Sequence, residues 1–99
     1  MSFHLKIHDT EDGKVVAACD KDILGEAYQE GDTKLALEED FYGKEEGGFL
    51  ELLEALKECV TANIAGEELV SELLDEGLVK EKEVKTVEGV PHVQLFFVR

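Results

Sequence analysis

The chain has 99 residues, 43% of them hydrophobic, which suits a single domain whose core needs no metal or disulfide staple. Twenty-four acidic residues against ten basic ones give a formal net charge of −14, and the basic residues are scattered, which argues against a duplex nucleic-acid surface built from clustered lysine and arginine. No run approaches the roughly 18 to 20 apolar residues of a bilayer span, and the start lacks the basic-then-apolar pattern of a leader, so the expectation is a cytoplasmic protein that does not enter membranes.

From Phe3 to His8 the residues alternate, with Phe3, Leu5 and Ile7 on one side and His4, Lys6 and His8 on the other, as in a strand with one wet face. Val15 to Cys19 is apolar without alternation, as in a strand covered on both sides, and the turn "DTEDGK" joins the two as an antiparallel hairpin. The stretch "DKDILGEAYQEGDT" shows no period and reads as an irregular connection with an extended piece around Ile23 and Leu24; Thr33 to Glu38 alternates again as a strand.

From Glu46 to Ala65 the positions Phe49, Leu52, Leu53, Leu56, Cys59, Val60, Asn63 and Ile64 fall at three- and four-residue spacing, which predicts one helix with Asn63 interrupting its apolar stripe. Gly66 is placed to end it. Glu67 and Glu68 then open a second helix, where the dipole favours negative charge, and Leu69, Val70, Leu73 and Leu74 form its buried stripe. Gly77 fits a left-handed cap followed by Leu78 and Val79 in a Schellman ending. Two strands close the chain, Glu83 to Val87 and Val93 to Val98, joined tightly through Glu88, Gly89 and Pro91. Pro91 lacks an N–H, so full pairing is expected at or after His92, and the last strand's apolar character predicts an interior position. The order β-β-β-α-α-β-β implies an α+β two-layer sandwich, a mainly antiparallel sheet with two helices packed on one face.

The chemistry-bearing candidates are few. His4 and His8 would meet on a helix, but on a strand four residues span about 13 Å, too far to share a zinc ion. The loop around Asp12-Gly13 imitates part of a calcium loop, yet His8 falls at its first position and Cys19 where a bidentate glutamate is needed, so a plain hairpin turn is expected. Cys19 and Cys59 read as free buried thiols, and apolar neighbours make Cys19 an inert one. No GxSxG, GxxxxGK[ST], GxGxxG or HExxH occurs. Neither a cofactor nor a metal is expected. Tyr28, Phe41 and Tyr42 are available for stacking, but without a basic groove they read as core or loop anchors.

What remains is a set of polar residues in apolar or glycine-rich settings: Asp20, Tyr42, Asn63, His92 and Gln94. On a pleated strand His92 and Gln94 point to one face and can serve one site; equally, they can satisfy buried backbone groups. In "CDKDILG" (Cys19 to Gly25), "EEDFYG" (Glu38 to Gly43), "TANIAGE" (Thr61 to Glu67), "EGLV" (Glu76 to Val79) and "GVPHVQL" (Gly89 to Leu95) the sequence resembles an archaeal family of uncharacterised proteins, domain-of-unknown-function family 424. It departs from that family at "YGKEEGG", where glycines more often follow the tyrosine directly. The resemblance implies an archaeal cytoplasmic protein of about this length and supplies no catalytic residues.

The reading that follows is a small non-enzymatic binding or interaction module, associated with translation or another core process. The rival is a small-molecule-binding protein or enzyme with His92 as general base, since a free imidazole pKa of about 6.5 suits that task. The acidic surface suits either a salty cytoplasm or a protein partner with a basic surface, and the leucine-rich second helix and apolar last strand allow a homodimer.

Overall fold

The structure, a computed structural model, describes residues 2–98. It is a mixed α and β fold built on a six-stranded, mainly antiparallel sheet. Strand β1 (Ser2–Thr10) turns back through Glu11 and Asp12 into β2 (Gly13–Cys19). The Thr10 hydroxyl donates to the Gly13 carbonyl at 2.6 Å and accepts from the Asp12 N–H at 3.2 Å, so the calcium-loop mimic is a hairpin turn. After a 3-10 turn at Lys21–Ile23 come β3 (Ala27–Glu30), β4 (Thr33–Ala36), the four-residue helix α1 (Glu39–Tyr42), β5 (Glu46–Gly48), helix α2 (Phe49–Glu58), β6 (Cys59–Ala65) and helix α3 (Glu67–Asp75). A second 3-10 turn precedes β7 (Lys85–Val87) and β8 (Val90–Phe96). The sheet order is β5-β1-β2-β6-β8-β7, with β2 and β6 the parallel neighbours, while β3 and β4 form a separate hairpin.

This corrects the expected order at three points. The helix predicted over Glu46 to Ala65 is only α2; its second half is β6, in the middle of the sheet. The two periods overlap at Cys59, Val60, Asn63 and Ile64, but β-branched Val60, Thr61 and Ile64 suit a pleated surface, and the chain passes from helix to strand at Cys59, whose ψ of 160° is already extended. Gly66 therefore ends a strand rather than a helix. The irregular connection before Thr33 contains β3, which pairs with β4; of the extended piece expected around Ile23 and Leu24, Ile23 lies in a 3-10 turn and Leu24 alone is extended. Finally, Pro91 belongs to β8 and sits opposite Thr86, while pairing with β6 begins at Ala65 and His92. The turn before it is Glu88-Gly89 alone, with φ of 51° and 80°, the left-handed pair of a two-residue hairpin.

Strand β8 stands between β6 and β7 in the sheet order, but the apolar stretch that predicted an interior place is not interior. Strand β7 pairs with Val90 to His92 and β6 with His92 to Phe96, so from Val93 onward the strand has a neighbour on one side only; it ends at Phe96, and Phe96 and Val98 are exposed. Other expectations hold. At the end of α3 the Leu78 N–H donates to Leu73 and the Gly77 N–H to Leu74, the two bonds of a Schellman ending. Cys19 and Cys59 are free and buried, at opposite ends of the β2–β6 pair and in separate apolar clusters.

Two apolar clusters sandwich the sheet. On one face α2 and α3 bury Leu52, Leu56, Leu69 and Leu73 against Val16, Ala62, Ile64, Val93 and Leu95. On the other the β3–β4 hairpin and α1 bury Leu35, Leu37 and Tyr42 against Ala17, Cys19, Ala65 and Val87, a face that the expected two-layer arrangement left bare. Each fully buried leucine of this kind contributes about 1.5 to 3 kcal/mol, so both covers stabilise the sheet between them.

Candidate functional site

The alternation along β6 and β8 decides which side chains meet. Val93 and Leu95 join the helical core, so His92 and Gln94 point to the other face; Ala62 and Ile64 do the same on β6 and turn Asn63 outward. Asn63 lies directly opposite Gln94, and the Gln94 Nε2 donates to Asn63 Oδ1 at 2.9 Å. The Asn63 NH2 group, the second N–H of Gln94 and the Gln94 carbonyl oxygen remain available, and exchanging oxygen and nitrogen on both residues leaves the same kinds of group, one NH2, one N–H and one carbonyl oxygen.

Above this pair stand β4 and α1, which close a cavity of about 300 Å³ lined by Lys34, Phe41, Tyr42, Asn63, His92 and Gln94 together with the backbone neighbourhood of Leu35, Ala36, Ile64 and Val93. Thus four of the five polar residues singled out from the sequence converge on one solvent-reachable space. The hairpin is fixed over the sheet by reciprocal bonds: the Gln29 N–H donates to Glu88 Oε2 at 2.7 Å, and the Glu88 N–H donates to Glu30 Oε1 at 2.8 Å. Helix α1 is held by β1, where Lys6 Nζ donates to the Asp40 carbonyl at 2.9 Å. His8 stacks on Phe41 with ring centres 5.0 Å apart, and its Nε2 lies 2.7 Å from the Phe41 carbonyl, which makes that nitrogen the N–H. Phe41 in turn meets Tyr42 edge to face at 5.1 Å. His8 is therefore a loop anchor; among the described residues no three of His, Cys, Asp and Glu gather as a metal site requires.

Electrostatically the cavity holds neutral groups beside one lysine. Burial, with the Lys85 ammonium on the next strand second, lowers the His92 pKa from 6.5, favouring neutral imidazole. Its Nδ1 is buried and has no hydrogen-bond partner in the protein. Burial pushes the Tyr42 phenol up to about 12, with the nearby Cys19 adding to it, and Cys19 is likewise raised to about 12 by burial and then by Asp20 and Asp22. Both stay protonated, and Cys19 is no nucleophile.

Asp20 is the residue that the fold takes elsewhere. Only 5% exposed, it leaves β2 and accepts the Glu68 and Leu69 N–H groups of α3 through its two carboxylate oxygens, each at 2.9 Å. It satisfies the orphan donors of a helix start, a structural role, and it does not line the cavity. Lys34 is the lining residue that sequence reasoning passed over. Nothing in its own segment marks it, because its place depends on a hairpin packed from a distant part of the chain.

Comparisons with known proteins agree on kinship. Residues 8–98 match the family described as "Protein of unknown function (DUF424)". A crystal structure of an uncharacterised conserved protein from Methanopyrus kandleri is 33% identical, with a TM-score of 0.79 over 97% of this chain and 91% of that one. Among curated proteins nothing matches. By its match over nearly its whole length, the chain belongs to the DUF424 family.

Proposed function

We propose that the protein is a non-enzymatic binding module whose site is the cavity between the β3–β4 hairpin, α1 and the β6–β8 face. The observation that carries this is the convergence of Tyr42, Asn63, His92 and Gln94 on that one cavity, with the Asn63–Gln94 amide pair keeping a free donor beside a free acceptor. Such a pair matches a small planar group offering an acceptor beside a donor, as a primary amide or a nucleobase edge does. Phe41 supplies an apolar wall and Lys34 a cation that favours a ligand with some negative charge. The acidic surface, with its net charge of −14, suits a cytoplasm of high salt, and duplex DNA is not a ligand in this reading.

The test is an NMR titration with adenosine, cytidine, uridine, guanosine and glutamine as probes. At least one should shift the side-chain amide signals of Asn63 and Gln94 together with those of residues 34–36 and 41–42, and Gln94→Ala should abolish the shifts. If none of the five moves these signals, or if Gln94→Ala binds as well as the parent, the cavity is not a site of this kind.

A second reading, with His92 as a general base, is favoured by its neutral imidazole and its place in the cavity lining. It assigns the same cavity to a reaction rather than to retention of a ligand, and turnover of a bound probe would decide for it.

A further inference from the structure

On the opposite face of the sheet lies a larger space. The end of β8, α2 and the segment after α3 enclose a groove of about 530 Å³ whose apolar walls are Leu50, Leu53, Leu56, Leu78, Leu95 and Phe97. Leu50 is 78% exposed and Leu78 43%. Part of Leu78's placement belongs to the Schellman ending, but Leu50 serves neither helix nor core. It stands on a helix whose other outward positions are Glu51, Glu54, Lys57 and Glu58, where a polar residue would be an equally good helix former. A chain that covers itself in carboxylates nevertheless leaves these leucines in water.

The charge around the groove selects its occupant. Residues 49–58 and 76–83, which supply α2 and the segment carrying Leu78, hold six acidic and three basic residues. Glu54 and Lys57 line the groove itself and are 3.7 Å apart, so the one lysine there already has a carboxylate beside it. A second copy would set −14 against −14. A segment with cationic residues flanking apolar anchors meets both features at once, leucine-type side chains filling the groove and lysine or arginine reaching the rim. We infer that this groove docks a basic amphipathic helix of a protein partner, on the face away from the polar cavity and independently of any ligand there.

The probe is a fluorescent amphipathic peptide of leucine and lysine, compared with one in which the leucines are serines and another in which the lysines are glutamates, each titrated with the full chain. Binding of the leucine–lysine peptide alone is expected. Leu50→Asp should weaken it by about tenfold or more, the scale of one buried leucine, although the variant is one charge more negative. Thr33→Asp, on the hairpin of the other face, adds the same charge and should leave binding unchanged. The design separates docking from general charge attraction by sign, because attraction alone predicts tighter binding by Leu50→Asp. The inference is overturned if Leu50→Asp binds as tightly as the parent, if the serine peptide binds equally well, if no peptide binds, or if the parent sediments as a dimer that Leu50→Asp disperses. Because Leu50 lies on an exposed helical position, its variant should keep the parent's circular dichroism. Should it not, Leu50→Ser gives the same comparison without the charge, and undiminished binding by it refutes the groove.

Discussion

His92 shows how one side chain's position becomes a pH response. Burial and the Lys85 charge lower its folded pKa from 6.5, so as acid is added the unfolded chain takes up that proton before the folded one does. The stabilising contribution is therefore complete above about pH 6.5 and is lost as the pH falls through the depressed folded value. We expect the melting temperature of the parent to fall faster than that of His92→Gln between pH 6.5 and 5, and the His92 ring proton to titrate below 6.5 by NMR. A ring that titrates at or above 6.5 would show the imidazole to be solvated or paired with an acid, and would remove the neutral base from the second functional reading. The same residue marks a boundary in the ladder, since pairing to β6 starts at His92, as the missing N–H of Pro91 suggested, even though Pro91 itself already pairs with β7.

At the scale of elements, the start of α3 is assembled from two distant segments. Gly66 has φ of 118°, and a Cβ there would overlap the Asp20 carboxyl group that caps the helix. Glycine is needed both for the dihedral and for the approach. Asp20→Ala should cost about 1 to 2 kcal/mol by leaving two N–H groups without acceptors. Gly66→Ala should cost more, and the double variant should cost less than the two single losses together, because removing the carboxylate removes the overlap. Urea denaturation of the three variants measures this; strict additivity would show that Gly66 is constrained by its backbone alone. The Schellman turn and the buried stripe of α3 were legible in sequence because each signal is local. Strand β6 was not, because Cys59, Val60, Asn63 and Ile64 satisfy a helical spacing as well as a strand's, and only the neighbours β2 and β8 decide between them. Asn63 then changes meaning: in a helix it breaks an apolar stripe, whereas in β6 it faces Gln94 across the sheet. His92 and Gln94 could be paired from their spacing alone, since a strand puts alternate residues on one face. Asp20 could not be told apart from them by sequence, as its partner N–H groups lie 48 and 49 residues away.

Over the whole molecule the governing quantity is charge density. A net charge of −14 is confined within 33 × 28 × 27 Å. The ion pairs among the described residues, Lys14–Glu58, Lys21–Glu46, Lys44–Glu39 and Lys57–Glu54, all involve exposed side chains, and pairs of this kind contribute at most about 1 kcal/mol each. They relieve little of the excess, because the acids are spread through every segment. At about 0.1 M salt the Debye length is roughly 10 Å, so carboxylates on neighbouring elements repel through much of the structure; at about 1 M it is roughly 3 Å and the repulsion is confined to adjacent side chains. The unfolded chain, being expanded, feels less of this at any salt concentration, so screening stabilises the folded state relative to it. The melting temperature should therefore rise as KCl increases from 0.1 to 1 M, with calorimetry as the measurement and an isosmotic sucrose series as the control for general solvent exclusion. A flat or falling curve in KCl would remove salt adaptation as the reason for the acidic surface and leave the basic partner as its physical account. A rise in KCl matched by sucrose would assign the gain to excluded volume and not to charge.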